Sequence, residues 1–163
     1  MSPAPPPNFP PSLRHPTNIK TDRNLSPGGW CEFQDFDLQY YSEDASLLPT
    51  SPLLIWISTL LDAARSLGRD PNPGSKLSGW VRKAGFVKVE HKRFRIPIGA
   101  WARDPVLKEV GLWNLMQIEN GLEGLSMRLF TGVLKWEEGE VRALLEEVRR
   151  DLRDPGIHAM FDL

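Results

Sequence analysis

The sequence predicts an α/β fold, and three observations carry that prediction. An alternating stretch, Trp30–Phe36, is followed by two segments with helical apolar spacing, and then by a second alternating stretch, Phe86–Glu90. Glycine or proline punctuates each junction. The order strand, helix, helix, strand is the grammar of a βαβ unit and favours a parallel sheet.

The elements follow in order. Leu25-Ser26-Pro27-Gly28-Gly29 reads as a turn, because proline presets φ and glycine permits φ > 0. The stretch after it puts Trp30, Glu32, Gln34 and Phe36 on one face and Cys31, Phe33 and Asp35 on the other. It reads as a strand, although neither face is cleanly apolar. Acids at its carboxyl end suit the rim of an open α/β sheet, where ligands bind beyond the strand ends. Glu32, Gln34, Asp35 and Asp37 therefore form a candidate polar cluster. The competing reading is that they cap the strand and are solvated.

Ser51-Pro52 reads as a helix start, with a hydroxyl at the N-cap and proline at the first helical position. Leu53, Trp56, Ile57, Leu60, Leu61 and Ala64 trace one apolar stripe, and Gly68 followed by Pro71 marks the stop. A shorter helix carries Leu77, Trp80, Val81 and Ala84 and ends at Gly85. Phe86–Glu90 then alternates as a strand that can extend through Phe94-Arg95-Ile96 to Pro97.

Asp104-Pro105 opens a third helix with the same cap logic. Leu107, Val110, Gly111, Asn114, Ile118, Leu122, Leu125 and Leu129 form its stripe, while Leu112, Leu115 and Met116 lie off it. Such a circumference is either buried or covers a pocket. Gly121 and Gly124 predict a break, since each costs about 1 kcal/mol against alanine. The last helix runs from about Trp136 to Arg153 on Val141, Leu144, Leu145, Val148 and Leu152, with acids in its first turns and arginines in its last. Glu138–Arg142 and Glu146–Arg150 are favourable i, i+4 pairs, and Asp154-Pro155-Gly156 stops the helix.

Composition bounds the function. The 163 residues are 40% hydrophobic and carry 20 basic against 21 acidic side chains, so no global basic surplus points to nucleic acid or to an anionic membrane. One cysteine, Cys31, excludes an internal disulfide framework and a cysteine-built metal site. No apolar run reaches the ~20 residues that span a bilayer, and the first residues lack a signal-peptide pattern. An intracellular protein, cytoplasmic or nuclear and not secreted, is the expectation. Seven of the fifteen prolines fall before residue 17, so residues 1–24 read as a disordered proline-rich leader. Pro7-Asn8-Phe9-Pro10 has the P-x-x-P form that suits an aromatic-lined groove, and a leader without a partner is the plainer reading. No G-x-G-x-x-G, P-loop or G-x-S-x-G motif occurs. His15, His91 and His158 are far apart and lack metal-ligand spacing, and Cys31 reads as a small buried apolar residue.

The string Leu25-Ser26-Pro27-Gly28-Gly29-Trp30-Cys31-Glu32-Phe33-Gln34-Asp35-Phe36-Asp37 resembles the fifth-strand motif of class I S-adenosylmethionine-dependent methyltransferases, in the form found in the fungal LaeA-like group. Later segments resemble the same group in the same order: Leu77-Ser78-Gly79-Trp80, Ala84-Gly85-Phe86-Val87, Pro97-Ile98-Gly99-Ala100-Trp101 with Asp104, Leu129-Phe130-Thr131, and Ile157-His158-Ala159. The resemblance covers about Leu25 to Asp162. It implies a Rossmann-like sheet of seven strands that binds S-adenosylmethionine along its first four, and a role in fungal secondary metabolism.

The family's glycine-rich loop and the acid that hold the donor lie upstream of the P-G-G turn, where this sequence has its proline-rich leader. The resemblance therefore implies a partial Rossmann-like methyltransferase fold over residues 25–163. It comprises the fifth and sixth strands, their flanking helices and a helical insertion, without the N-terminal cofactor-binding half. The family's seventh strand, which lies between the fifth and the sixth, is expected to be cut away. That leaves two strand edges for a protein partner to cover. The implied function is a truncated methyltransferase, inactive by itself and binding no S-adenosylmethionine alone. The alternative is a non-catalytic interaction module. No catalytic residue is marked. In the resemblance Gln34, Asp35, Asp37 and Trp101 would face an unknown methyl acceptor, with the helical stretch from Asp104 to Phe130 as a lid. No metal ligand, nucleic acid or membrane is implied.

Overall fold

The computed structural model describes residues 25, 26 and 28–163; the proline-rich leader lies outside them. They divide into two compact units, each described by itself. One joins the described residues up to Gln34 to Lys76–His91; the other comprises Asp35–Ser75 and Lys92–Leu163.

In the larger unit the chain is mixed α/β. Strand β1 is Asp37–Tyr41 and helix α1 is Pro52–Ser66. The smaller unit contributes helix α2, Leu77–Lys83. Strand β2 is Arg95–Pro97, helix α3 is Pro105–Gly132, helix α4 is Glu138–Arg153, and strand β3 is Met160–Asp162.

The strands form one sheet in the order β1-β3-β2, with β3 antiparallel to both neighbours. This corrects two expectations. The sheet is not a parallel ladder, although β1 and β2 do run in the same direction on either side of β3. Nor does the chain stop short of a strand between them, because Met160-Phe161-Asp162 fills that place. Pro97 and Tyr41 both face Met160, and Arg95 and Asp37 both face Asp162. Five residues of β1 span three of β3, so β1 is bulged. The inner edges of β1 and β2 are thus covered by the chain itself.

The strand positions also differ from the expectation. Among the described residues Trp30–Phe36 has no ladder and the strand lies just after it. A strand forms where a partner exists, and β3 reaches only Asp37–Tyr41. The alternating Phe86–Glu90 is likewise not a strand. In the smaller unit Phe86 packs edge-on against Phe33, with ring centroids 6.0 Å apart, and the strand proper comes later, at Arg95–Pro97.

The helices match the sequence more closely, with instructive exceptions. Helix α1 begins at Pro52, but Ser51 makes no side-chain cap. Asp151 of α4 does the work instead, its Oδ2 accepting the Leu53 N–H at 3.0 Å. A carboxylate there suits the positive end of the helix dipole. Asp104 caps α3 as expected, Oδ1 accepting from Leu107 N at 2.9 Å. Helix α3 then runs through Gly121 and Gly124 without the predicted break. Its buried face, with Leu122, Ser126 and Phe130 fully enclosed, is held along its length by tertiary packing, which outweighs the local glycine cost. On α4, Glu138–Arg142 are 3.9 Å apart as expected, while Glu146 pairs with Arg149 rather than Arg150.

The core lies between α1, α3, α4 and one face of the sheet. Leu53, Trp56, Leu122, Phe130, Val141 and Leu145 are all at most 1% exposed. The one buried polar side chain among the described residues, Ser126, accepts the Trp56 indole N–H at 2.7 Å and donates to Leu122 O at 2.5 Å. Two ion pairs lock α3 to α4 on the solvent side, Glu123–Arg142 and Glu119–Arg153, each at 2.6 Å.

Candidate functional site

The carboxyl ends of β1 and β2 and the amino end of β3 share one rim of the sheet. Three segments deliver side chains to it. The turn after β1 brings Asp44 and Ser46, the loop after β2 brings Trp101, and the residue pair before β3 brings His158 and Ala159.

The segments are fixed to one another by specific bonds. His158 N–H donates to Ser46 Oγ at 2.8 Å. His158 Nδ1 lies 2.5 Å from Asp44 Oδ2. The imidazole stacks on the Trp101 indole, with ring centroids 5.0 Å apart and planes 27° apart. The indole N–H donates to Ala159 O at 3.2 Å. Asp44 Oδ1 accepts the Ser46 backbone N–H at 3.1 Å. Between these two residues Ala45 sits at φ 60, a left-handed conformation that costs an L-residue about 1–2 kcal/mol. That turn brings Asp44 and Ser46 together on His158. Hydrogen bonds from Ser46, then the neighbouring His158, hold the Asp44 carboxyl down at about 2.

A close helix approach positions the Trp101 loop. Gly111 in α3 is buried against Gly99, and its carbonyl accepts the Gly99 N–H at 2.9 Å. Gly99 itself has φ +93. Asn114 of α3 adds a second tether, donating to Pro97 O at 2.9 Å. Helix α3 thus braces the end of β2 and the start of the loop that leads to Trp101.

Of the residues singled out from the sequence, only Trp101 reaches this rim. Because β1 begins at Asp37, Asp35 and Asp37 stand at the amino end of the strand, not at the carboxyl end where the sequence placed them. Asp37 faces Asp162 at the far end of the ladder, and Asp35 Oδ1 accepts from Phe36 N at 2.9 Å. Gln34 belongs to the smaller unit, where its Nε2 donates to Glu32 Oε1 at 2.8 Å. Asp44 and His158 were missed. They are 114 residues apart, which no local pattern reports. The only signal was the position of His158 inside the Ile157-His158-Ala159 segment. Among the described residues no group of His, Cys, Asp and Glu is arranged to hold a metal ion, and no helix is long and apolar enough to cross a membrane.

The apolar excess of α3 has a separate outcome. Leu112, Trp113 and Met116 are exposed and line a shallow depression between Glu109 and Glu119. All six lining residues belong to this one helix, and none of the rim residues takes part.

Comparison with known proteins adds the family. No family profile matches the chain, and no solved structure does. Over 139 residues, 85% of this chain, it is 39% identical to "Methyltransferase pytC" of Aspergillus terreus. It is 33% identical over 138 residues to "Secondary metabolism regulator LAE1" of Cochliobolus heterostrophus, and 26% identical over 137 residues to "Protein-methionine methyltransferase laeA" of Emericella nidulans. The chain spans less than half the length of each: 43%, 45% and 36% respectively. The chain is accordingly a homologue of the fungal methyltransferases and LaeA-like regulators of secondary metabolism, matching roughly two fifths of their length.

Proposed function

We propose that this chain carries the acceptor-side part of an S-adenosylmethionine-dependent methyltransferase. In this reading β1, β3 and β2 correspond to the fifth, seventh and sixth strands of a Rossmann-like sheet. The observation that carries it is the strand order: a terminal strand, antiparallel, inserted between two strands of common direction. The homology supplies the chemistry, since named relatives are methyltransferases.

The described residues do not fit the methyl donor. Its seat in this class of fold is a glycine-rich loop after a strand, whose backbone approaches the ligand closely. The one candidate here is Gly99, between β2 and α3. Its N–H is already given to Gly111 O, and the backbone of α3 fills the space beside it. The acceptor side is different. Trp101, His158 and Asp44 offer an aromatic face, a ring nitrogen and a fixed negative charge at the rim, where ligands of α/β sheets bind. Methyl transfer needs positioning more than covalent help from the protein, and these groups would position an acceptor.

Calorimetric titration of S-adenosylmethionine into the full chain tests the division of labour. The expected result is no saturable heat. Micromolar binding to this chain alone would overturn it.

A further inference from the structure

The rim holds a pair of titratable groups with a direction built into it. Asp44 is ionised over the whole physiological range and can only accept hydrogen bonds. In the neutral imidazole, the Nδ1 facing it must therefore carry the ring proton. The lone pair is then on Nε2, which has no hydrogen-bond partner among the described residues. The ring cannot turn away to satisfy it. Trp101 lies along one face, Asp44 holds Nδ1, and the backbone is tied to Ser46. The side chain is still 36% exposed, so the ring is open to solvent over part of its surface. Among the described residues, Asp44 is the charged group in contact with the ring. The other neighbours, Ser46 and Trp101, are neutral.

We infer that Asp44 and His158 form a proton-accepting dyad for an acceptor molecule that presents an acidic hydroxyl, a phenol or an enol, at the Trp101 rim. The inference rests on the acceptor-side reading and deepens it by naming the class of acceptor. The step is balanced within the site. The ligand O–H bond breaks, an Nε2–H bond forms, and the ligand keeps the electron pair as an oxyanion. The imidazolium that results is paired with the Asp44 carboxylate.

Two arguments select the acidic hydroxyl. Transfer to a base is effective when the proton donor is not too weak an acid, and a phenol at about 10 is a far stronger acid than an ordinary alcohol. An aliphatic hydroxyl lies far higher. A thioether has no proton to give, so the dyad would add nothing to methylation at sulfur.

The probe is 4-nitrophenol, whose anion absorbs in the visible. It is mixed with the full chain in buffer about one unit below the probe's own pKa, where most of the free probe is protonated. Binding beside the dyad is expected to raise the anion band saturably. His158→Gln is expected to abolish the rise, and Asp44→Asn to cut it at least tenfold by releasing the tautomer. A residue that merely ties two segments together would leave the probe's ionisation unchanged. Should His158→Gln fail to fold, Asp44→Asn still decides the matter. The same samples are followed by the Trp101 indole signal in NMR. A shift of that signal without an anion band overturns the dyad and leaves the acceptor rim standing. No shift and no band overturn both, and an undiminished band in His158→Gln overturns the dyad.

Discussion

Gly111→Ala probes the packing that holds the candidate site. A Cβ at this position would lie 2.0 Å from Gly99 O and 3.1 Å from Gly99 C. Ordinary contact begins near 3.4 Å, so the helix and the Trp101 loop must part by about 1.4 Å, and the obstacle is backbone that cannot rotate aside. The strain of such overpacking is typically about 1–3 kcal/mol. The Gly99 N–H to Gly111 O bond would also be lost, at about 0.5–1.5 kcal/mol. Alanine's better helix propensity offsets about 1 kcal/mol. A net loss of about 2 kcal/mol is expected, or roughly 5–10 °C in Tm for a domain of this size. Gly124→Ala is the internal control. It lies in the same helix with nothing within 4 Å of the added methyl, and should stabilise by about 0.5–1 kcal/mol. Urea and thermal unfolding, followed by circular dichroism, read both. Equal effects from the two substitutions, or a stabilised Gly111→Ala, would refute the close approach and with it the brace on the Trp101 loop.

Three further outcomes are expected. Ser126→Ala strands the buried Trp56 indole N–H and should cost about 1–3 kcal/mol in urea unfolding, and less in a Trp56→Phe background that has no N–H to strand. Asp151→Ala should cost about 1 kcal/mol by uncapping α1 from the other end of the chain, while Ser51→Ala, at the nominal N-cap, should stay within about 0.5 kcal/mol. The Asp44 carboxyl is held below its ordinary value of 3.8, so the folded state binds this proton less readily than the unfolded one. Its contribution is fully present above that value and is lost as pH falls through about 2. Asp44→Asn should therefore flatten the acid limb of the stability profile between those values.

Helix α1 is readable from local chemistry: Pro52 starts it, the stripe from Leu53 to Leu61 buries, and Gly68 takes φ +72 just after its end. The Asp104 cap and the acid-to-arginine gradient of α4 are equally local, and both hold. The misses have one physical source, which is dependence on distant partners. Trp30–Phe36 alternates well enough for a strand, yet Asp37–Tyr41 is the strand because β3 pairs there. Gly121 and Gly124 lower helix propensity, yet Leu122, Ser126 and Phe130 anchor the same helix in the core. At the site, Trp101 could be named from the sequence. Asp44 and His158 could not, because their contact closes a loop longer than any pattern of periodicity or capping, and each alone reads as a surface residue.

The site exists only if the last three residues of strand enter the sheet between β1 and β2. Cross-strand nuclear Overhauser contacts test this directly. The account predicts contacts from Met160, Phe161 and Asp162 to both neighbours: Tyr41 and Asp37 on one side, Pro97, Ile96 and Arg95 on the other. Contacts between β1 and β2 themselves, or a C-terminal segment that shows none to either strand, would contradict it.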